Sequence, residues 1–429
     1  MAKKLGTPLQ KVRTIYSVTE YRLENGLRVL YRRDTTSPAV AVCVTYHVGS
    51  RNEASGHTGA THILEHLMFK DSKKFNRANG KAVTDLLESL GANMNATTSL
   101  DRTNYFEVLP REHVEQALAM EADRMRNSQF NDADLASEMT VVRNEYERGR
   151  NDPYELLLED VLATAFTTHP YRIPTIGSKE DIEHSTAATL RRFYDTFYWP
   201  NNATLAVIGD IDRATLEALV VKYYARIPRA PHAIPTMDIR EPEQEKPYAT
   251  SFKHPAGVSI VAVAYKTPEA THIDYPAIMY LMTILAGSFA ARLQRLLVDT
   301  GRVAHIQPIL LPTIDPSITT LIVTLSDGTT PEFVRNTIRS TIADISEKGI
   351  TKAEFTSTRT RLLSQTSAEH DGCMNEVASV SEAVAAGDWT LSYRMKELVN
   401  TVTQADIKRV ARTYFTEKRE TYGILVNTL

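Results

Sequence analysis

The sequence predicts an α+β protein made of two homologous domains, each a mostly antiparallel sheet with helices packed on one face. Three observations carry this. Segments of matching apolar and charged phase recur at an offset of about 217–220 residues. Alternating strands mix with helices of roughly ten residues or more, without the regular strand-then-helix order of a parallel doubly wound sheet. A proline-rich stretch separates the two copies.

In the first copy, the apolar run 40–46 reads as a strand, and a loop then leads to an apolar helix that runs through Leu67. Residues 95–105 read as a half-exposed strand, with Asp101, Thr103, Tyr105 and Glu107 supplying the polar alternation. The stretch 138–147 has helical spacing. From Thr186 to Tyr198 the apolar positions Leu190, Phe193 and Phe197 mark one face of a helix, and turn residues then lead into a strand over 203–208. The second copy repeats the series, with a strand over 258–265, a helix over about 277–285, an amphipathic helix over 403–415 and a strand over 422–426. Between them, residues 228–247 hold five prolines and a run of charge, a partly extended linker. The expected domains are therefore 1–227 and 248–429.

Composition narrows the function. With 49 Lys and Arg against 52 Asp and Glu, the formal charge of -3 offers no excess of positive charge for a phosphate backbone, so nucleic acid is not the expected partner. Cys43 and Cys373 are the only cysteines and lack CxxC spacing, so they build neither a disulfide framework nor a thiolate metal site. Lys3 and Lys4 are followed by no apolar run of signal-peptide length, and no membrane-length apolar window follows. The expectation is a cytoplasmic chain without a membrane partner, or a periplasmic one if a signal was removed ahead of Met1.

The chemistry concentrates in His62-Ile-Leu-Glu65-His66. Histidines at i and i+4 lie one turn apart on a single helix face, where two imidazoles can ligate one metal ion, and an acid at i+3 flanks the same face. With 12 His in 429 residues, and Glu at roughly 7 per cent, HxxEH arises by chance only about 0.02–0.03 times in such a chain. A catalytic zinc needs a third protein ligand and an open position. Glu138 and Glu145, seven apart, share a helix face, whereas Glu147 points elsewhere. Glu145 is the chosen ligand and Glu138 its supporting partner, although spacing alone would let the two exchange roles.

HxxEH is the inverted form of the zincin signature, and the chain resembles the pitrilysin family of zinc metallopeptidases, which includes the mitochondrial processing peptidase. The similar pieces, in order, are Tyr21-Arg-Leu-Glu-Asn25-Gly, Val48-Gly-Ser50-Arg-Asn-Glu53, the histidine segment, Asn95-Ala-Thr-Thr-Ser99-Leu-Asp101-Arg-Thr-Asn-Tyr105, and the stretch from Glu138 to Pro153. The resemblance implies a processing-peptidase-like fold of two homologous domains and one zinc bound by His62, His66 and Glu145. It implies Glu65 as general base and Glu138 as support of the site. It also implies that the strand near Asn95, Ala96 and Thr97 is an edge strand that pairs with an extended peptide, with Phe69 a further substrate-binding candidate.

The second half departs from the first. At the repeat offset the three motif positions fall on Met279, Met282 and Thr283, so no metal ligand recurs. The family's Arg and Tyr, seven residues apart in its second half, fall here on Val298 and His305, and the pair is missing. In two-subunit members one chain holds HxxEH and a homologous chain holds the Arg/Tyr pair. The resemblance therefore implies a zinc endopeptidase subunit that works with such a partner as a heterodimer, with a homodimer as the alternative arrangement. Two other readings compete: a non-catalytic assembly subunit, and a zinc hydrolase of small non-peptide molecules. Two His and one carboxylate also suit other divalent ions.

Overall fold

A computed structural model describes residues 9–428, so Lys3 and Lys4 lie outside the described residues. Its strands are β1 (Gln10–Ile15), β2 (Val18–Arg22), β3 (Arg28–Arg33), β4 (Ala39–Tyr46), β5 (Asn93–Thr98), β6 (Thr103–Pro110), β7 (Ala203–Gly209), β8 (Tyr248–His254), β9 (Ile260–Thr267), β10 (Val303–Leu310), β11 (Ser317–Leu325) and β12 (Glu420–Asn427). The helices are α1 (Ala60–Leu67), α2 (Val83–Ser89), α3 (Val114–Asn127), α4 (Asp132–Gly149), α5 (Pro153–Ala165), α6 (Lys179–Glu183), α7 (Ala187–Phe197), α8 (Arg213–Tyr224), α9 (Tyr275–Leu285), α10 (Pro331–Lys348), α11 (Lys352–Ala368), α12 (Gly372–Ala385), α13 (Leu391–Thr401) and α14 (Gln404–Tyr414). None of them is long and apolar enough to cross a membrane.

The chain divides into two compact units that are interleaved along the sequence. One takes residues through Arg143, Pro174–Asp238 and Ala368–Tyr393; the other takes Asn144–Ile173, Ile239–Ser367 and the chain from Arg394 onward. Each unit therefore draws on both halves of the sequence, where the repeat alone suggested contiguous domains. The cause is a pair of helices. α12, from the second half, packs on the first sheet, and α5, from the first half, packs on the second.

The first sheet has the order β1-β2-β3-β7-β4-β6-β5 and is antiparallel apart from the β3–β7 pair. Along β4, Val40, Val42, Val44 and Tyr46 join the core beneath α3, α7 and α8, while Ala41 and Cys43 join Val377, Val380, Val384 and Trp389 around α12. Helices on both faces explain why β4 is a continuous apolar run instead of an alternating one. Both cysteines are free thiols, and burial pushes the Cys43 thiol up to about 12.

The second sheet, β10-β11-β9-β12-β8, reproduces the strand order β5-β6-β4-β7-β3, including its one parallel pair, here β8 with β12. The repeat extends to helix starts. Thr186 and Thr403 each accept the N3 backbone N–H in matching capping boxes that begin α7 and α14. On one face of the second sheet, Gly423 lets α5 approach closely, since a Cβ there would sit 2.4 Å from a Val161 methyl carbon.

One expectation needs correction. Asp101, Thr103, Tyr105 and Glu107 are buried, not half exposed. β6 lies between β4 and β5, so its alternating polar residues face the interior, where Glu107 joins Arg124 and Glu121 in a buried ion cluster. β5 is the edge strand, and the turn from residue 99 to 102 separates the two.

Candidate metal centre

Helix α1 sorts its side chains by period. Ile63, Leu64 and Leu67 enter the core, and His62, Glu65, His66 and, just beyond the helix, Phe69 form a half-buried stripe on the other side. Its first turn is fixed by close backbone contact. Gly59 has φ +84° and Gly177 φ +88°, and a Cβ on Gly177 would meet the Thr58 carbonyl at 2.5 Å. Thr58 donates both its N–H and its hydroxyl to Asp181, and Ser178 N–H donates back to the Thr58 hydroxyl. The buried Glu53 carboxylate accepts the Gly59 and Thr61 N–H groups of the incoming turn; burial raises its pKa to about 7 despite them.

Helix α4 runs unbroken from Asp132 to Gly149, and its buried stripe is Asp134, Leu135, Glu138, Met139 and Val142, with Glu145 next along it and half buried. Glu147 is exposed. The start of α4 is tied to the loop after α1 by Arg77, which donates to Asp134 at 2.7 and 2.9 Å and to Asp71 at 3.0 Å.

These two helices bring His62, His66 and Glu145 together, one ligand atom from each lying within 4.8 Å of the others. The imidazole Nε2 atoms are 3.4 Å apart. Two ligands held tetrahedrally at about 2.0–2.1 Å from zinc are about 3.3–3.4 Å apart, so the pair has the separation zinc requires. Burial, then the neighbouring His66 ring, push His62 down to about 4, which keeps it the neutral imidazole that a metal needs at neutral pH. Glu138 occupies the outer side. His66 Nδ1–H donates to its Oε2 at 3.2 Å, which orients Nε2 toward His62, and Lys70 Nζ contacts its other oxygen at 2.5 Å. The donor set thus fits zinc.

Glu65 accepts a hydrogen bond from the hydroxyl of Thr98, the last residue of β5. The acid on the histidine face is thereby joined to the edge strand. Of the substrate-binding candidates, Asn95 and Thr97 are exposed on that strand, while the Ala96 side chain is buried, leaving only its backbone for recognition. Phe69 is half buried beside Tyr105 and lines a cavity of about 270 Å³ with His66, Lys70, Arg77, Thr84 and Glu138. Sequence pattern alone does not single out Lys70, Arg77 or Thr98. Lys70 was the findable one, since it sits one turn after His66 on the helical phase.

Comparison with known proteins bears on this geometry. Residues 28–179 match the family description "Insulinase (Peptidase family M16)", and residues 184–362 match "Peptidase M16 inactive domain". The chain belongs to peptidase family M16. Among relatives, this M16 chain is 32% identical over 287 residues to the zinc protease PqqE of Helicobacter pylori, covering 66% of this chain and 64% of that one. It is 26% identical over 264 residues to a probable mitochondrial-processing peptidase subunit beta of Arabidopsis thaliana, covering 61% and 49%. The aligned part thus spans less than two thirds of either relative. The crystal structure of a protease from Helicobacter pylori superposes with a TM-score of 0.89 at 25% identity, covering 95% of this chain and 98% of that one. The resemblance read from the motifs is thus to the family the chain belongs to. The "inactive" description falls on the half in which Met279, Met282 and Thr283 stand at the repeat of the ligand positions, with Val298 and His305 at the Arg and Tyr positions.

Proposed function

We propose that this chain is a zinc-dependent endopeptidase subunit that hydrolyses peptides or unfolded segments. The observation that carries the reading is the cluster of His62 and His66 of α1 with Glu145 of α4, beside Glu65, which lies on the helix face of the two histidines and is itself bonded to edge strand β5. When bound, zinc would acidify a water molecule and polarise the peptide carbonyl. The chain's own residues do the rest. Glu65, oriented by Thr98, accepts the proton of the attacking water and returns it to the leaving amine. Glu138 holds the His66 ring in the orientation that directs Nε2 to the metal. β5 offers its open edge to an extended peptide, and because backbone pairing tolerates sequence, it suits unfolded segments.

The missing Arg/Tyr pair supports a homologous partner chain that supplies it. The "inactive" description of the second half supports one competing reading, a non-catalytic assembly subunit. Metal analysis and hydrolysis of a quenched peptide separate them. The purified chain should hold one zinc, and peptide turnover should vanish in Glu65→Gln with zinc retained. Near-parental turnover by Glu65→Gln would sink the assignment, and a chain that takes up no zinc would favour the assembly role.

A further inference from the structure

We infer that α12 clamps the peptide-binding edge strand, and that Arg102, Asn104, Ser381 and Glu382 are positioning residues for substrate. The inference rests on the proposed pairing of a peptide with β5. Thr97 and Thr98 point to opposite faces of the sheet, as successive strand residues must. On one face Thr98 meets Glu65. On the other, Thr97 is held twice. Arg102 donates from one guanidinium nitrogen to the Thr97 carbonyl at 2.8 Å and to its hydroxyl at 2.5 Å, and from Nε to Glu382 of α12 at 3.0 Å. Asn104 accepts the Thr97 hydroxyl at 2.8 Å and donates to Ser381 of α12 at 2.8 Å; Ser381 in turn meets Thr45 of β4.

Two hydrogen-bond chains therefore run from one helix to one residue of the edge strand, next to the residue that orients the general base. Arg102, Asn104 and Ser381 are buried, so the middle of each chain is shielded from competing water, while its ends at Thr97 and Glu382 are open to solvent. An edge strand has a sheet neighbour on one side only, and without such ties its backbone would be free to bend away from the register a peptide needs. α12 comes from the second half of the sequence, so a helix remote from the motif sets the shape of the substrate edge.

The test uses the full-length zinc-loaded chain. In Arg102→Met and in the less intrusive Glu382→Gln, amide exchange over β5 should accelerate about tenfold while α1 protection and zinc content stay unchanged. In a Glu65→Gln background the Kd of a fluorescein-labelled unstructured decapeptide should rise about five- to tenfold, and Arg102→Lys should return it to within about twofold. Unchanged β5 protection in both variants overturns the clamp while leaving the peptidase reading intact. A decapeptide that does not bind even the Glu65→Gln parent overturns the edge-strand reading, and the positioning role with it.

Discussion

Glu138→Gln tests the link between the two helices of the candidate metal centre. The carboxylate is 11% exposed and has two charged or polarised neighbours, His66 Nδ1 at 3.2 Å and Lys70 Nζ at 2.5 Å. Glutamine keeps the volume and one acceptor oxygen but loses the charge, and its amide N–H₂ faces whichever donor the oxygen does not serve. Hydrogen bonds to charged groups are worth about 1.5–3 kcal/mol, and partners of metal-ligating histidines typically carry a factor of about 10–100 in metal affinity. That factor corresponds to about 1.4–2.7 kcal/mol, so the two scales agree. Zinc Kd, measured by competition with a chromophoric chelator near neutral pH, should therefore rise about 10–100-fold, with the unfolding transition of the metal-free chain close to the parent's. A Kd within twofold of the parent's would show that Glu138 does not orient His66, and the proposed division of labour between Glu138 and Glu145 would fail.

Gly177→Ala should destabilise the first unit and weaken zinc binding. A left-handed alanine costs about 1–2 kcal/mol and overpacking about 1–3 kcal/mol more, and the overlap with the Thr58 carbonyl displaces the first turn of α1. Unfolding and zinc titrations at parental values would refute this. Glu241 gives a pH test in the second unit. Burial alone would raise its carboxyl, but N–H donors from His169, Thr167 and Thr168, aided by Lys266, bring it down to about 2. A depressed folded pKa stabilises above the unfolded carboxyl value and is lost as pH falls through about 2, so the contribution at neutral pH is up to about 3 kcal/mol. The stability gap between parent and Glu241→Gln, read from denaturant curves, should shrink as pH falls from about 4.5 toward 2; a constant gap counts against it. Finally, peptide hydrolysis by the isolated chain should be low and should rise on adding a homologous Arg/Tyr-bearing chain. Full activity of the chain alone at high dilution would exclude the partner requirement.

The sequence by itself determined whatever is local or repeated. A 3.6-residue period places His62, Glu65 and His66 on one face and Glu138 with Glu145 on another, and no tertiary contact is needed to see it. The doubled series of strands and helices announced two related sheets, and the structure extends the match to the threonine caps at 186 and 403. Only the tertiary structure decided which carboxylate meets which histidine nitrogen, because two residues a whole number of turns apart are equivalent until a second helix is set against them. It also decided that β5 is the edge and β6 interior, since an alternating strand with both faces covered buries its polar residues in hydrogen bonds and ion pairs and reads like a solvated one. Lys70, Thr98 and the α12 contacts depend on sheet register and helix placement. Pairs such as Arg102 with Glu382, 280 residues apart, leave no periodic trace in the chain that forms them.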